Sequence, residues 1–341
     1  MRQIVITKAG GPEVLKIREL KDPIPGDGEL TIRVKAIGIN FADILARKGM
    51  YMDAPKFPCV VGYEVSGIVE SIGKNVNENL IGKQVFALTR FGGYSDIVKL
   101  RASQIFEKPA NINFNQAAAI PVNYLTAYQL LVVMGGLHED ETVLVHNAGG
   151  GVGLAALDIV KHIGATAIGT ASYVKHVFLL KRGFEHVIDY RTQDWQKLVK
   201  SYTDGKGVEL AIDPIGGSNS KRTYKVLRST GRLGLFGIST IAKPGVSGKL
   251  HLLKLVLQTS KYHPFNMMNS NKGVFGVNVA HLWNEGKKIR GWMEAIIKGV
   301  NEGWIQPHVG KSFKFDNVGD AHTYIEDRRN IGKVVLVIGE W

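Results

Sequence analysis

The residues with most chemistry in their types and spacing run from 143 to 157, VLVHNAGGGVGLAAL. An apolar run meets a cluster of glycines and then a run of small and apolar residues. Ala148, Gly150 and Gly153 give the form A-x-G-x-x-G. A tight strand-to-helix turn needs a small first residue. The middle glycine lets a pyrophosphate reach the backbone, and the last lets the helix pack close to its strand. The helix start then offers free N–H groups and the positive end of its dipole to phosphate. A glycine-rich turn without a ligand is the alternative, and its context decides against it: the motif follows VLVH and opens VGLAALDIVKHIG.

A site for NAD shows an Asp or Glu at the end of the second strand, about twenty residues on, to grip the ribose. Here that strand ends IGTASYVKH. Ser172 and Lys175 stand where the acid belongs, and the only acids between Gly153 and residue 189 are Asp158 and Glu185. A hydroxyl and an ammonium suit an additional ribose phosphate, with Tyr190 flanking the adenosine, so the sequence predicts NADPH. The alternative for Lys175 is a solvent-facing helix lysine.

The elements that position these residues follow from periodicity. ELTIRVKAIGIN, EVSGIVESIG and GKQVFALT alternate apolar and polar residues between turn signals such as PIPGDG and FGGYSD, which predicts a β-rich domain. From residue 143 strand-like pieces (VLVH, TAIGT, HVID, VELAID, RLGLFGI, GVFGVNV) alternate with helical patterns. That is the pattern of an α/β, doubly wound six-stranded parallel sheet, a Rossmann domain. A helix through GWMEAIIKGVNEG and a strand GKVVLVIG then rejoin the first domain. The division expected is 1–122 with 279–341, and 123–278.

At 341 residues two domains are natural, and 45% hydrophobic with 21% charged residues is a globular composition. Cys59 is the only cysteine, which excludes an intramolecular disulfide and a multi-thiolate zinc site. No signal peptide is legible, and no run reaches the ~18 apolar residues of a membrane span. A soluble, cytoplasmic protein is expected. The net charge is +13, and residues 214–284 hold no acid at all. That stretch suits a solvated basic face and an anionic cofactor. No motif supports nucleic-acid binding.

VNYLTAYQLL, HNAGGGVG, IGTAS, DPIGG, GLFGIS and IGKVVLV stand in the order seen in zinc-independent medium-chain dehydrogenases/reductases. Across the whole chain the sequence resembles the quinone oxidoreductase branch with zeta-crystallin, and within it the vesicle amine transport protein homologues. The resemblance implies a GroES-like catalytic domain beside the Rossmann domain, and a homodimer. Asn40, Tyr63 and Val122 occupy positions that are zinc ligands in zinc-dependent relatives, and none can replace them in a catalytic zinc site, so no metal is expected. The resemblance also implies contacts: Asn40 and Thr126 near the nicotinamide ribose and phosphates; Gly150, Gly151 and Val152 around the pyrophosphate; Ser172, Lys175 and Tyr190 on the adenosine phosphate. It implies Phe236 and Gly237 beside the nicotinamide, and Phe275, Val277, Asn330 and Lys333 closing the cleft. Phe236 and Phe275 read equally as core aromatics; a turn and a surface charge are the lesser alternatives for Asn330 and Lys333.

Hydride transfer asks the protein chiefly to orient cofactor and acceptor. The expectation is an NADPH-dependent reductase of quinones or α,β-unsaturated carbonyls, with Tyr63 either hydrogen-bonding the substrate oxygen or packed with a satisfied hydroxyl. The alternative is a membrane-surface or regulatory protein that keeps an NADPH-binding fold. It rests on KLHLLKLVLQTSK, where His251, Lys254, Gln258 and Lys261 form a polar stripe suited to weak association with anionic lipid.

Overall fold

The computed structural model describes residues 1–239 and 262–339. The stripe from His251 to Lys261 lies outside the described residues. The chain divides into two compact units, one of residues 1–123, 293–301 and 307–341, the other of residues 124–292 and 302–306. The second unit extends past residue 278, and the helix Gly286–Asn301 runs unbroken through the point where the chain leaves it.

The first unit is β-rich. Strands β1 (Arg2–Ile6) and β2 (Leu15–Glu19) form an antiparallel pair. Strands β3 (Glu29–Ile39), β4 (Glu64–Ile72), β5 (Gln84–Leu88), β6 (Ile97–Arg101) and β7 (Ile105–Glu107) build most of a seven-stranded sheet. The alternation read in ELTIRVKAIGIN is β3, whose Leu30, Ile32, Val34 and Ile37 enter the core. This long strand pairs with β6 through its first half and with the chain's last strand through its second. Its end delivers Asn40, which caps the helix Phe41–Arg47.

The second unit contains β8 (Thr142–His146), β9 (Thr166–Ala171), β10 (His186–Asp189), β11 (Val208–Asp213), β12 (Leu227–Leu235) and β13 (Gly273–Gly276). All pair in parallel, in the order β10-β9-β8-β11-β12-β13. Numbered within the sheet this is 3-2-1-4-5-6, the doubly wound order of a Rossmann fold. Leu144, Ile168, Ile188, Ala211 and Leu233 belong to one buried cluster. The return to the first unit adds β14 (Val309–Lys314) and β15 (Lys333–Val337). β15 is the strand read in GKVVLVIG. β14 was not foreseen, because VGKSFK carries no buried residue to mark it.

Among the described residues no helix is long and apolar enough to cross a membrane. His322 lies fully buried on the helix Val318–Glu326, its Nε2 2.8 Å from the Tyr94 hydroxyl. Burial, with help from the Arg47 charge, pushes its imidazole down to about 3. The unfolded imidazole takes a proton below about 6.5, so this group's stability is fully present above that pH and is lost as pH falls toward 3. The melting temperature of the parent should therefore fall between pH 6.5 and 4.5 more steeply than that of His322→Gln, the difference corresponding to about 1.4 kcal/mol per pH unit. Parallel pH profiles for the two proteins would show that His322 does not carry this acid sensitivity.

Candidate functional site

The C-terminal ends of the parallel strands gather most of the expected residues of the second unit. After β8 the chain turns at Asn147, whose φ of 56° lies in the left-handed region that asparagine tolerates. Gly150 then caps the helix Gly151–Ile163, with its N–H on the Asn147 carbonyl at 2.9 Å. The first i→i−4 bond runs from Leu154 to Gly150. The amides of Gly151, Val152 and Gly153 precede it, so the helix provides them with no acceptor. Gly151 and Val152 are half-buried.

Each glycine meets a different neighbour. A Cβ at Gly153 would lie 2.5 Å from the Ala148 carbonyl oxygen and 2.6 Å from that of Asn147. This glycine makes the close approach of helix to strand possible. A Cβ at Gly150 would meet the Asn147 side-chain amide at 2.6 Å, and one at Gly149 would meet Cδ of Lys175 at 2.8 Å. Lys175 follows β9 and is 6% exposed. It is not a solvent-facing lysine, because its chain folds back over the glycine turn.

Ser172, directly after β9, is buried. No carboxylate stands between it and Glu185. Tyr190 follows β10 and is 37% exposed, with the Arg191 guanidinium 5.9 Å from its ring centre. Asp213 ends β11 and organises DPIGG: its oxygens accept from the amides of Ile215 and Gly216 and from the side chains of Asn219 and Thr223. Phe236 and Gly237 follow β12, and Val277 follows β13 with its N–H on the Leu235 carbonyl at 2.8 Å. Phe275 packs its ring edge on Gly234 of the neighbouring strand, a place in the sheet packing. Thr126 is buried on the helix Pro121–Tyr128.

Asn40, Tyr63, Asn330 and Lys333 belong to the first unit. Three of its side chains form a buried network. Asn40 Nδ2 donates to Glu64 Oε1 at 2.9 Å, and Lys333 Nζ donates to Asn40 Oδ1 at 2.7 Å. Lys333 is also ion-paired with Glu64. The other Glu64 oxygen accepts the Val122 amide at 2.7 Å. Glu64 is 0% and Lys333 3% exposed, so Lys333 is not a surface charge. Asn330 does lie at a turn, its amide on the Gly332 carbonyl at 3.2 Å.

Asp43 lies beside this network, fully buried. Its Oδ2 accepts the Asn40 amide at 2.8 Å and its Oδ1 the Gly62 amide at 3.0 Å. Burial pushes this carboxyl up to about 7, against the opposing pull of those two amides and the Lys333 charge. Neither Asp43 nor Glu64 was expected from the sequence. The available signal was Asn40-x-x-Asp43, the spacing of a capping box.

Tyr63 is buried with its ring against Tyr51 and Phe91, centroids 6.2 and 5.5 Å away. Its buried hydroxyl makes no hydrogen bond within close distance among the described residues, with Tyr51 the neighbour that acts on it. Burial, then the Asp43 charge, raises its pKa far above the usual phenol range, which leaves a neutral donor. Among the described residues no three His, Cys, Asp or Glu side chains are grouped to hold a metal ion.

Comparison with known proteins agrees with this architecture. A model of the alcohol dehydrogenase GroES-like domain matches residues 26–110, and a zinc-binding dehydrogenase model matches residues 182–336. The human synaptic vesicle membrane protein VAT-1 homolog is 34% identical over 342 residues, which span 99% of this chain and 87% of that protein. The crystal structure of the human VAT-1 homolog-like protein superposes with a TM-score of 0.87 at 32% identity, covering 100% of this chain and 99% of that one. The Escherichia coli quinone oxidoreductase complexed with NADPH superposes with a TM-score of 0.86 at 29% identity, covering 99% and 100%.

The glycine geometry makes a prediction. Gly153→Ala drives a Cβ into two backbone carbonyls and should cost about 1–3 kcal/mol, as overpacking does. Gly150→Ala meets chiefly the end of the Asn147 side chain, which can rotate away, with the Asn147 carbonyl oxygen farther off at 3.2 Å, and should cost less than about 1 kcal/mol. Urea unfolding of both variants checks this, and the reverse order would mean that Gly153 does not set the helix–strand distance.

Proposed function

The chain belongs to the medium-chain dehydrogenase/reductase family, and from that membership we propose an NADPH-dependent, metal-free reductase of quinones or α,β-unsaturated carbonyls. One observation carries the cofactor assignment. Lys175 lies over Gly149 at the glycine turn, and the second strand ends without a carboxylate. An ammonium there attracts a ribose phosphate, and an acid there would have repelled it.

The residues fit the cofactor. The amides of Gly151 and Val152 would receive the pyrophosphate at the positive end of their helix. Ser172, Lys175 and Tyr190 would hold the adenosine phosphate. Phe236, Gly237 and Val277, at neighbouring strand ends, would line the nicotinamide side. When bound, the nicotinamide supplies the hydride.

On the substrate, Tyr63 would donate its buried hydroxyl to the carbonyl oxygen. That oxygen gains negative charge as the acceptor is reduced, so the hydrogen bond strengthens along the reaction. Tyr63 remains a hydrogen-bond donor, and the reduced substrate takes its proton from water. A quinone or conjugated carbonyl suits this arrangement because its reduced anion is delocalised and needs no metal.

The residues do not fit a catalytic zinc. At the positions discussed above, Asn40 offers an amide, Tyr63 a neutral phenol and Val122 no donor. The Asn40 side-chain oxygen already accepts a hydrogen bond from Lys333.

Two outcomes are expected. Lys175→Ala should weaken NADPH binding roughly ten- to hundredfold, the size of a charge-assisted contact of about 1.5–3 kcal/mol, and leave NADH binding nearly unchanged. Titration of nicotinamide fluorescence measures both, and equal weakening would mean that Lys175 supports the turn alone. Reduction of a panel of quinones, enones and enals should proceed undiminished after EDTA treatment. Stoichiometric zinc in the purified protein, with activity lost on its removal, would overturn the metal-free reading.

A further inference from the structure

Asp43 takes no part in the contacts proposed above, yet it is a fully buried carboxyl in contact with the segments that carry two of the proposed site residues. Burying a carboxyl is costly unless its oxygens are well used. A capping box would require only the bond to Asn40, at the start of its own helix. The bond to Gly62 reaches across nineteen residues to a different turn. That turn leads directly into Tyr63.

The same turn is held from its other side. Thr89 donates its hydroxyl to the Gly62 carbonyl at 2.6 Å and its amide to the Tyr63 carbonyl at 2.8 Å. Gly62 has φ of 102°, and a Cβ there would lie 2.7 Å from the Tyr94 backbone nitrogen. The backbone carrying Tyr63 is thus confined by packing and tied by hydrogen bonds. On the side of the Asn40 helix, the tie is Asp43. Asn40 is equally constrained: Asp43 holds its amide, Glu64 its side-chain nitrogen and Lys333 its side-chain oxygen.

We infer that Asp43 is a positioning residue for the reaction, tying the Asn40 turn to the Gly62–Tyr63 turn so that the Tyr63 hydroxyl is held where the substrate oxygen must sit. The inference rests on the reading of Tyr63 as hydrogen-bond donor. Geometry is the ground for it: a buried hydroxyl donor is useful only if its place is fixed, and misplacement by about 1 Å can cost a hundredfold in rate. Asp43→Asn turns one acceptor oxygen into a donor that faces a backbone N–H, so one of the two ties is broken while size is kept.

The test is a double-mutant cycle on the full chain, with NADPH and a benzoquinone or enone substrate. Tyr63→Phe should lower kcat roughly ten- to hundredfold, the worth of a charge-assisted hydrogen bond. Asp43→Asn should lower kcat by a similar factor, with the NADPH Kd changed less than about threefold. The double variant should fall no more than about twofold below the slower single variant, because both changes remove the same interaction. Losses that multiply would make Asp43 a support of the fold only, and parental kcat in Asp43→Asn would overturn the inference outright. Should Asp43→Asn fail to fold, Asp43→Glu retains both acceptors on a longer arm, displaces the turn, and enters the same cycle with the same expected coupling. A parent chain that binds NADPH but reduces neither substrate class would overturn the functional reading, and this inference with it. Activity in the parent with multiplying losses would overturn this inference alone.

Discussion

The buried pair of Lys333 and Glu64 is the constraint on which the first unit depends. Two opposite charges out of water are favourable only when the remaining donors and acceptors are also satisfied. Here they are: Glu64 receives Lys333, Asn40 and the Val122 amide. The pair joins the first residue of β4 to the first residue of β15, and draws in the end of β3 and the start of the helix Pro121–Tyr128. Removing one partner would leave the other charge buried and unpaired, at about 3–5 kcal/mol. The segments that carry Asn40 and Lys333, 293 residues apart in sequence, are thereby fixed to one another within that unit.

The sequence made the second unit legible almost strand by strand. Six apolar runs of the right length, separated by helical patterns, leave little choice but a parallel sheet, and the glycine turn marks its first strand. The ligand-facing ends of such strands are local in sequence, so Ser172, Lys175, Tyr190 and Phe236 could be assigned to strand ends by counting. What counting could not supply is the direction of a side chain. Lys175 sits in a short segment between strand and helix, with a turn geometry that folds it back over Gly149. In the sequence a solvent-facing helix lysine stands as its alternative reading.

The first unit was legible as β-rich and little further. Its key residues are single acids beside positions read for other reasons: Asp43 three residues after Asn40, and Glu64 directly after Tyr63. Their importance comes from partners supplied by distant segments, and no periodicity records a pairing across that distance. The same limit explains Lys333, read as a surface charge or a cofactor contact. A lysine within an apolar strand such as KVVLV is a reason to look for a buried acid elsewhere, but it does not say which acid. The boundary near residue 279 was also obscure, because the amphipathic helix Gly286–Asn301 continues through the transition between units.

The two units differ in how they use their charged groups. In the second, backbone amides at the start of the helix Gly151–Ile163 have no helical acceptor, and the buried Lys175 chain lies over Gly149 of the same turn, an arrangement that suits a polyphosphate. In the first, the charged groups around Asn40 are consumed by one another. Lys333 is neutralised by Glu64, Asn40 is held at three atoms, and Asp43 is bound by two amides. Beside them, packed among the rings of Tyr51 and Phe91, lies the buried neutral hydroxyl of Tyr63. A site with its charges internally paired does not hold a charged substrate tightly, but it can donate one hydrogen bond to an oxygen that becomes negative only during reaction. On the proposed reading such a donor would contribute more to the transition state than to the ground state, which suits reduction of an uncharged conjugated carbonyl.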